Sequence, residues 1–127
     1  MNSLISVKWV FRIAGIYGLL VLIPMYFMET QTGIDSPPAI NHAEYYYGFI
    51  GTAVAWQFVF LLIATDPVKY RLIILAAWVE KFSFGIAGLV LFSQGRMPDP
   101  IFAGSLIDLF LGCCFVWAWF RIKKELA

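Results

Sequence analysis

The sequence predicts an all-α polytopic membrane protein, an antiparallel bundle of four transmembrane helices. Three observations carry that prediction. The chain of 127 residues is 61% hydrophobic and only 13% charged, whereas a soluble domain is about 45–50% apolar and about 25% charged. Its apolar residues gather into four stretches, 4–28, 43–65, 67–94 and 100–122, each long enough to cross a bilayer, which takes about 20 residues. The segments between them carry capping and turn residues. The length suits a single domain over 1–127.

The first span opens with MNSLISVKWVFRIAG. Its positive charges lie inside the apolar run, and no small-residue cleavage site follows before Glu29. It therefore reads as a retained helix rather than a cleaved signal. Lys8 and Arg12 stand one turn apart on one face near the membrane boundary. Snorkelling to headgroups explains them, which makes them candidate headgroup contacts; an anionic substrate site is the alternative.

Residues 29–42, ETQTGIDSPPAINH, are polar and contain Gly33 and Pro37-Pro38, the marks of a turn-rich surface loop. Asn41 with Glu44 resembles a capping box for the second span. His42 is the sole histidine. With Glu44 and Asp35 it offers few ligands for a metal, so a helix start is the better explanation and no metal is expected. His42, Glu44 and Tyr46 would line an outer mouth.

Asp66-Pro67 and Asp99-Pro100 each place a carboxylate before a proline, as at a helix start. The second and third spans are thus joined almost without a loop and should form a tight antiparallel hairpin. Gly95 after Gln94 fits a helix C-cap.

Lysine and arginine orient the chain. Lys8, Arg12, Lys69, Arg71, Arg121, Lys123 and Lys124 fall on one side, against Arg96 alone on the other. Both termini are expected in the cytoplasm, the protein being multi-pass in a bacterial cytoplasmic membrane. Tyr45, Tyr46 and Tyr47 then mark the outer interface, and Trp117 and Trp119 the inner one. The net charge of +1 gives no field to attract nucleic acid, so the lipid bilayer is the partner expected first. Cys113 and Cys114 are vicinal in an apolar segment, and adjacent cysteines reach disulfide geometry only with strain. They read as packing residues, and without CxxC a thiol-redox enzyme is not indicated.

The informative anomaly is Glu80-Lys81 inside the run Leu72–Phe92. An ion there costs about 2.5–3.5 kcal/mol on insertion scales, and ionisable groups in spans tend to mark functional sites. At about 1.5 Å per residue, Gln57 and Asp108 lie at similar depth, so Gln57, Glu80, Lys81 and Asp108 form a candidate polar cluster. Glu80 shares a stripe with Ala76, Ala77, Ser83 and Ala87, Lys81 with Ala77, Gly85 and Gly88, and Asp108 with Gly104, Ser105 and Gly112. Small residues at such spacing let helices approach, so both carboxylates should face protein. Depth and rotation pair Lys81 with Asp108 and turn Glu80 towards Gln57. The same contacts would also suit a purely structural role, fixing the register of the bundle.

The runs PPAINHAEYYYGF, ATDPVKYR, WVEKFSFG and LIDLFLG resemble a set of small uncharacterised bacterial membrane proteins, loosely similar to the DoxX-like four-helix families. The resemblance covers most of the chain beyond Ile34. It implies a four-helix protein of the bacterial inner membrane and brings no substrate or functional residue with it.

Three functions fit these residues. The first is binding or transport of a small molecule at the polar cluster, entered from the outer mouth. Burial and Lys81 act in opposite directions on the protonation of Glu80, a balance that proton coupling would use, and so short a chain would need to dimerise to build a pathway. The second is an accessory subunit of a larger membrane complex. The third, ranked last, is an isomerase-like enzyme on a lipid-like substrate, using an acid, a base and Trp78. No nucleophile motif or cofactor signature is present, so the balance leans away from an enzyme and no cofactor is expected.

Overall fold

The structure, a computed structural model, describes residues 4–127. Among the described residues it is all helical: α1 (Ile5–Met25), α2 (Glu29–Asp35), α3 (Ala43–Thr65), α4 (Arg71–Ser93) and α5 (Asp99–Leu126). All but α2 are long and apolar enough to cross a membrane. The protein is a four-helix membrane bundle with one short additional helix.

The boundaries differ from the sequence expectation where local chemistry intervenes. α1 stops at Met25 rather than 28 because the next N–H groups turn to tighter three-residue contacts, Tyr26 to Ile23 O at 3.1 Å and Phe27 to Pro24 O at 3.0 Å. The segment expected as loop contains α2, where Gln31 Nε2 donates to Asp35 Oδ1 at 2.8 Å. Tyr47 ties this helix to α3 by donating to Glu29 Oε1 at 3.0 Å. The Asn41–Glu44 capping box does not form. His42 is the N-cap, makes no side-chain cap, and instead places Nδ1 3.0 Å from Glu44 Oε1.

The third span does not begin at Pro67. Asp66 does accept an orphan backbone N–H, but from Lys69 at 3.1 Å. It therefore caps a separate turn, and α4 begins at Arg71. At the fourth span Asp99 lies inside the first turn without a side-chain cap, where its charge still opposes the helix dipole. α5 continues beyond 122 to Leu126, with Lys123 and Lys124 favourably placed in its last turn. Gly95 terminates α4 as expected, at φ +68°. The Arg96 N–H reaches Leu91 O at 2.8 Å and the Gly95 N–H reaches Phe92 O at 3.0 Å, which is the Schellman pattern.

The helices form two close pairs, α1 with α3 and α4 with α5, while α3 touches α4 only sparsely despite the short link between them. The tight second–third hairpin expected from the sequence is thus corrected. Glycines explain the close pairs. A Cβ on Gly15 would press on Leu61 and on the Gln57 carbonyl, and one on Gly18 would coincide with the Gln57 side chain. In the other pair a Cβ on Gly88 would coincide with Ser105, one on Gly85 would crowd Leu109, and one on Gly112 would meet the Phe82 ring.

The two pairs meet at the end that carries the α3–α4 turn and the C-terminus. Val7, Phe11 and Ala14 of α1 pack there with Phe60, Ile63 and Ala64 of α3, Ile74 and Ala77 of α4, and Phe115, Ala118 and Ile122 of α5. Phe11, Phe60 and Phe115 form its centre, with Phe11 and Phe115 stacked at 4.4 Å and Phe60 edge-on to Phe115 at 5.0 Å. Towards the other end the cavity-lining faces carry Gly48, Thr52, Ala53 and Gly104, and there the pairs separate around a cavity.

Candidate functional site

The cavity has a volume of about 1450 Å³ and takes its lining from all four long helices. Its walls are mainly apolar: Val21, Leu22 and Met25 of α1, Phe49 and Trp56 of α3, Val79 and Phe84 of α4, Ile101 of α5. Glu44, Tyr45, Tyr46 and Pro100 line it near the helix ends, and Gln57, Glu80, Lys81 and Asp108 line its floor in mid-span. The four polar residues singled out from the sequence therefore line one space, directly above the packed aromatic core.

Lys81 is the hub of this floor and is almost fully buried. Its Nζ donates to Asp108 Oδ1 at 3.3 Å and lies 3.6 Å from Glu80 Oε2. The same ammonium sits 5.1 Å above the Phe60 ring, a cation–π contact that favours a desolvated charge. Lys81 reaches this point because its stripe of Ala77, Gly85 and Gly88 is buried against α5. One ammonium thus serves two carboxylates.

Glu80 does not turn to Gln57 as the sequence suggested. Gln57 Nε2 donates to Ala53 O at 2.8 Å, its Oε1 has no hydrogen-bond partner, and neither does Glu80 Oε2. Separation of α3 from α4 is the cause: both residues line one cavity, but the Gln57 amide packs on Gly18 of α1. The small residues around Glu80 behave accordingly. Ala76 and Ser83 line the cavity, and Ala87 is exposed rather than packed against a helix.

The outer-mouth residues divide. Glu44 and Tyr46 line the cavity, whereas His42 touches it only through Glu44 and stacks on Tyr45 at 5.1 Å. The Tyr46 hydroxyl donates to Met25 O at 2.7 Å, so it ties α3 to the end of α1. Among the described residues no three metal-ligating side chains cluster. Lys8 and Arg12 lie at the packed end, away from the cavity, with the Arg12 guanidinium 4.7 Å above Trp9.

Among the lining residues not singled out from the sequence as site residues are Tyr17, Trp56 and Gly18. A signal existed for the last. Gly15 and Gly18 share a face of α1 at the spacing that lets helices approach, and what approaches is the helix bearing Gln57. Compared with protein-family models, curated proteins and solved structures, the chain gives no match.

Proposed function

We propose that this membrane protein binds a small amphiphilic molecule in the cavity between its two helix pairs and serves its movement into or across the bilayer. The observation that carries this reading is the cavity of about 1450 Å³ with a charged floor and apolar walls. Ligand pockets span about 300–1,000 Å³, and a few polar groups in an apolar lining fix orientation. This space is larger than that range, so it accommodates a ligand of drug size. A purely structural ion pair would pack most favourably in a closed core. Here both carboxylates border open volume.

Passage beyond the floor would require the Phe11–Phe60–Phe115 core to part, which suits a dimer or a larger complex in which the helix pairs rock. Two carboxylates beside one ammonium leave a charge that a proton can balance, which supports proton coupling.

The same proposal places the chain in a bacterial cytoplasmic membrane with both termini inside. The lysine and arginine bias supports that orientation, and the DoxX-like resemblance supports the compartment. Reporter fusions at each terminus test it.

Binding is tested by filling the cavity. A Cβ on Gly104 meets nothing within 4 Å, so Gly104→Leu projects into the space without disturbing packing. A molecule that stabilises the wild-type chain against heat, by about 2.7 kcal/mol at a hundredfold excess over its Kd, should lose that effect in Gly104→Leu. Equal stabilisation of both would remove the cavity as the site.

A further inference from the structure

We infer that the ligand carries a positive charge: an organic ammonium on an apolar body, with the ammonium at the Glu80–Asp108 floor. This rests on the proposal that the cavity is a binding site and adds the class of its occupant.

The argument begins with the charges on the lining. Glu44, Glu80 and Asp108 are acidic, and Lys81 alone is basic. Lys81 is already engaged by both neighbouring carboxylates, at 3.3 Å and 3.6 Å. An anion would have to displace one of them and would leave a carboxylate without its counter-charge in a region of low dielectric, a costly outcome. A cation meets the opposite situation. It brings the charge that the second carboxylate lacks.

Hydrogen bonding points the same way. Glu80 Oε2 accepts no hydrogen bond, its approach to Lys81 Nζ at 3.6 Å being an ion contact only, whereas the unpartnered Gln57 Oε1 is packed against Gly18 of α1. Buried polar atoms are normally satisfied, so the Glu80 carboxylate beside the cavity calls for a donor. An ammonium supplies N–H donors and charge together. Trp56 and Tyr17 add aromatic faces beside the floor, where a cation is favoured over a neutral group.

The body of the ligand follows from the walls. Between Gln57 and Glu44 the cavity follows α3 for about 20 Å, past side chains that offer apolar surface and little hydrogen bonding. A simple hydrated inorganic cation would gain nothing from them. A lipid with an ammonium headgroup offers the same chemistry as a free hydrophobic amine, and the test separates the two.

The experiment compares decylammonium, decanol and decanoate, which share one chain and differ in head charge. Each is titrated into the full chain in nanodiscs, with empty nanodiscs subtracted. Decylammonium should bind about tenfold or more tightly than decanol, as one desolvated charge pair provides, and decanoate should be weakest. Glu80→Gln should erase most of that preference, while Gly104→Leu should weaken all three probes. If Glu80→Gln does not fold, the ranking on the wild-type chain decides alone.

Equal binding of decylammonium and decanol, or tightest binding of decanoate, overturns the charge inference and leaves the cavity reading standing. No binding of any probe overturns both. An ammonium lipid that co-purifies with the chain and is displaced by decylammonium supports the inference and identifies the membrane as the source.

Discussion

Gly18 of α1 and Gln57 of α3 occupy a single shared space: a Cβ on the glycine would fall within the glutamine side chain. The contact holds the α1–α3 pair together beside the cavity floor. Gly18→Ala gains helix propensity, about 1 kcal/mol, but must move a buried carboxamide bonded to Ala53 O at 2.8 Å. Overpacking of this kind costs about 1–3 kcal/mol. The melting temperature of Gly18→Ala should therefore fall, while Gly104→Ala, whose Cβ meets open space, should match or exceed wild type. Combining Gly18→Ala with Gln57→Ala should recover part of the loss, and a strictly additive pair would refute the contact.

The one-to-two arrangement of Lys81 with Asp108 and Glu80 predicts unequal effects of removing charge. Lys81→Met leaves two carboxylates beside an apolar core, and breaking a buried pair costs about 3–5 kcal/mol. Glu80→Gln should cost less, since Lys81 keeps its closer partner at 3.3 Å. Neutralising all three positions should bring stability back towards wild type, because replacing a buried ionic group by neutral residues is often harmless. Unfolding in a denaturing detergent measures each. A triple variant as unstable as Lys81→Met would show that the charges do more than balance one another.

Gly95 adopts φ +68° at the end of α4, a conformation that costs a side-chain-bearing residue about 1–2 kcal/mol. Gly95→Ala should lower stability by about that amount with no effect on ligand binding, since its Cβ would meet nothing within 4 Å. Gly95→Asn should be milder, because asparagine tolerates this region. A larger loss on binding than on stability would assign this turn to the site.

The four spans are legible in the sequence because the bilayer imposes length and apolarity on each helix separately. The Lys81–Asp108 contact is legible for a related reason: depth and rotation suffice when both residues lie on one close pair, and Gly85, Gly88 and Ser105 make it close. Glu80 and Gln57 lie on opposite sides of a gap, and the width of that gap is a property of the assembled bundle. Small residues are ambiguous in the same way. Gly88 and Gly112 admit a neighbouring side chain, whereas Ala76, Ser83 and Gly104 leave volume open. What decides between these outcomes is how the bulk elsewhere packs: Phe11, Phe60 and Phe115 meet in one cluster at one end, whereas Phe49, Trp56 and Phe84 line the cavity at the other. The short α2 escapes notice because its seven residues, with Ile34 alone strongly apolar, carry no apolar period.

That contrast between a filled and an open end yields a labelling prediction. Thiol reactivity depends on access and on the thiolate form, which an apolar packed site suppresses. In a chain whose Cys113 and Cys114 are replaced by alanine, Thr52→Cys and Gly104→Cys border the cavity and should react with a water-soluble thiol reagent. Ala64→Cys and Ala118→Cys lie in the packed core and should react at least about an order of magnitude more slowly. A reagent that cannot cross the bilayer, added to either side in turn, also reveals which face the cavity opens to: reaction from the side opposite the termini fits the proposed orientation. Fast labelling of Ala118→Cys in a folded chain would mean that the aromatic core parts readily, and the division of the bundle into a filled and an open half would then fail.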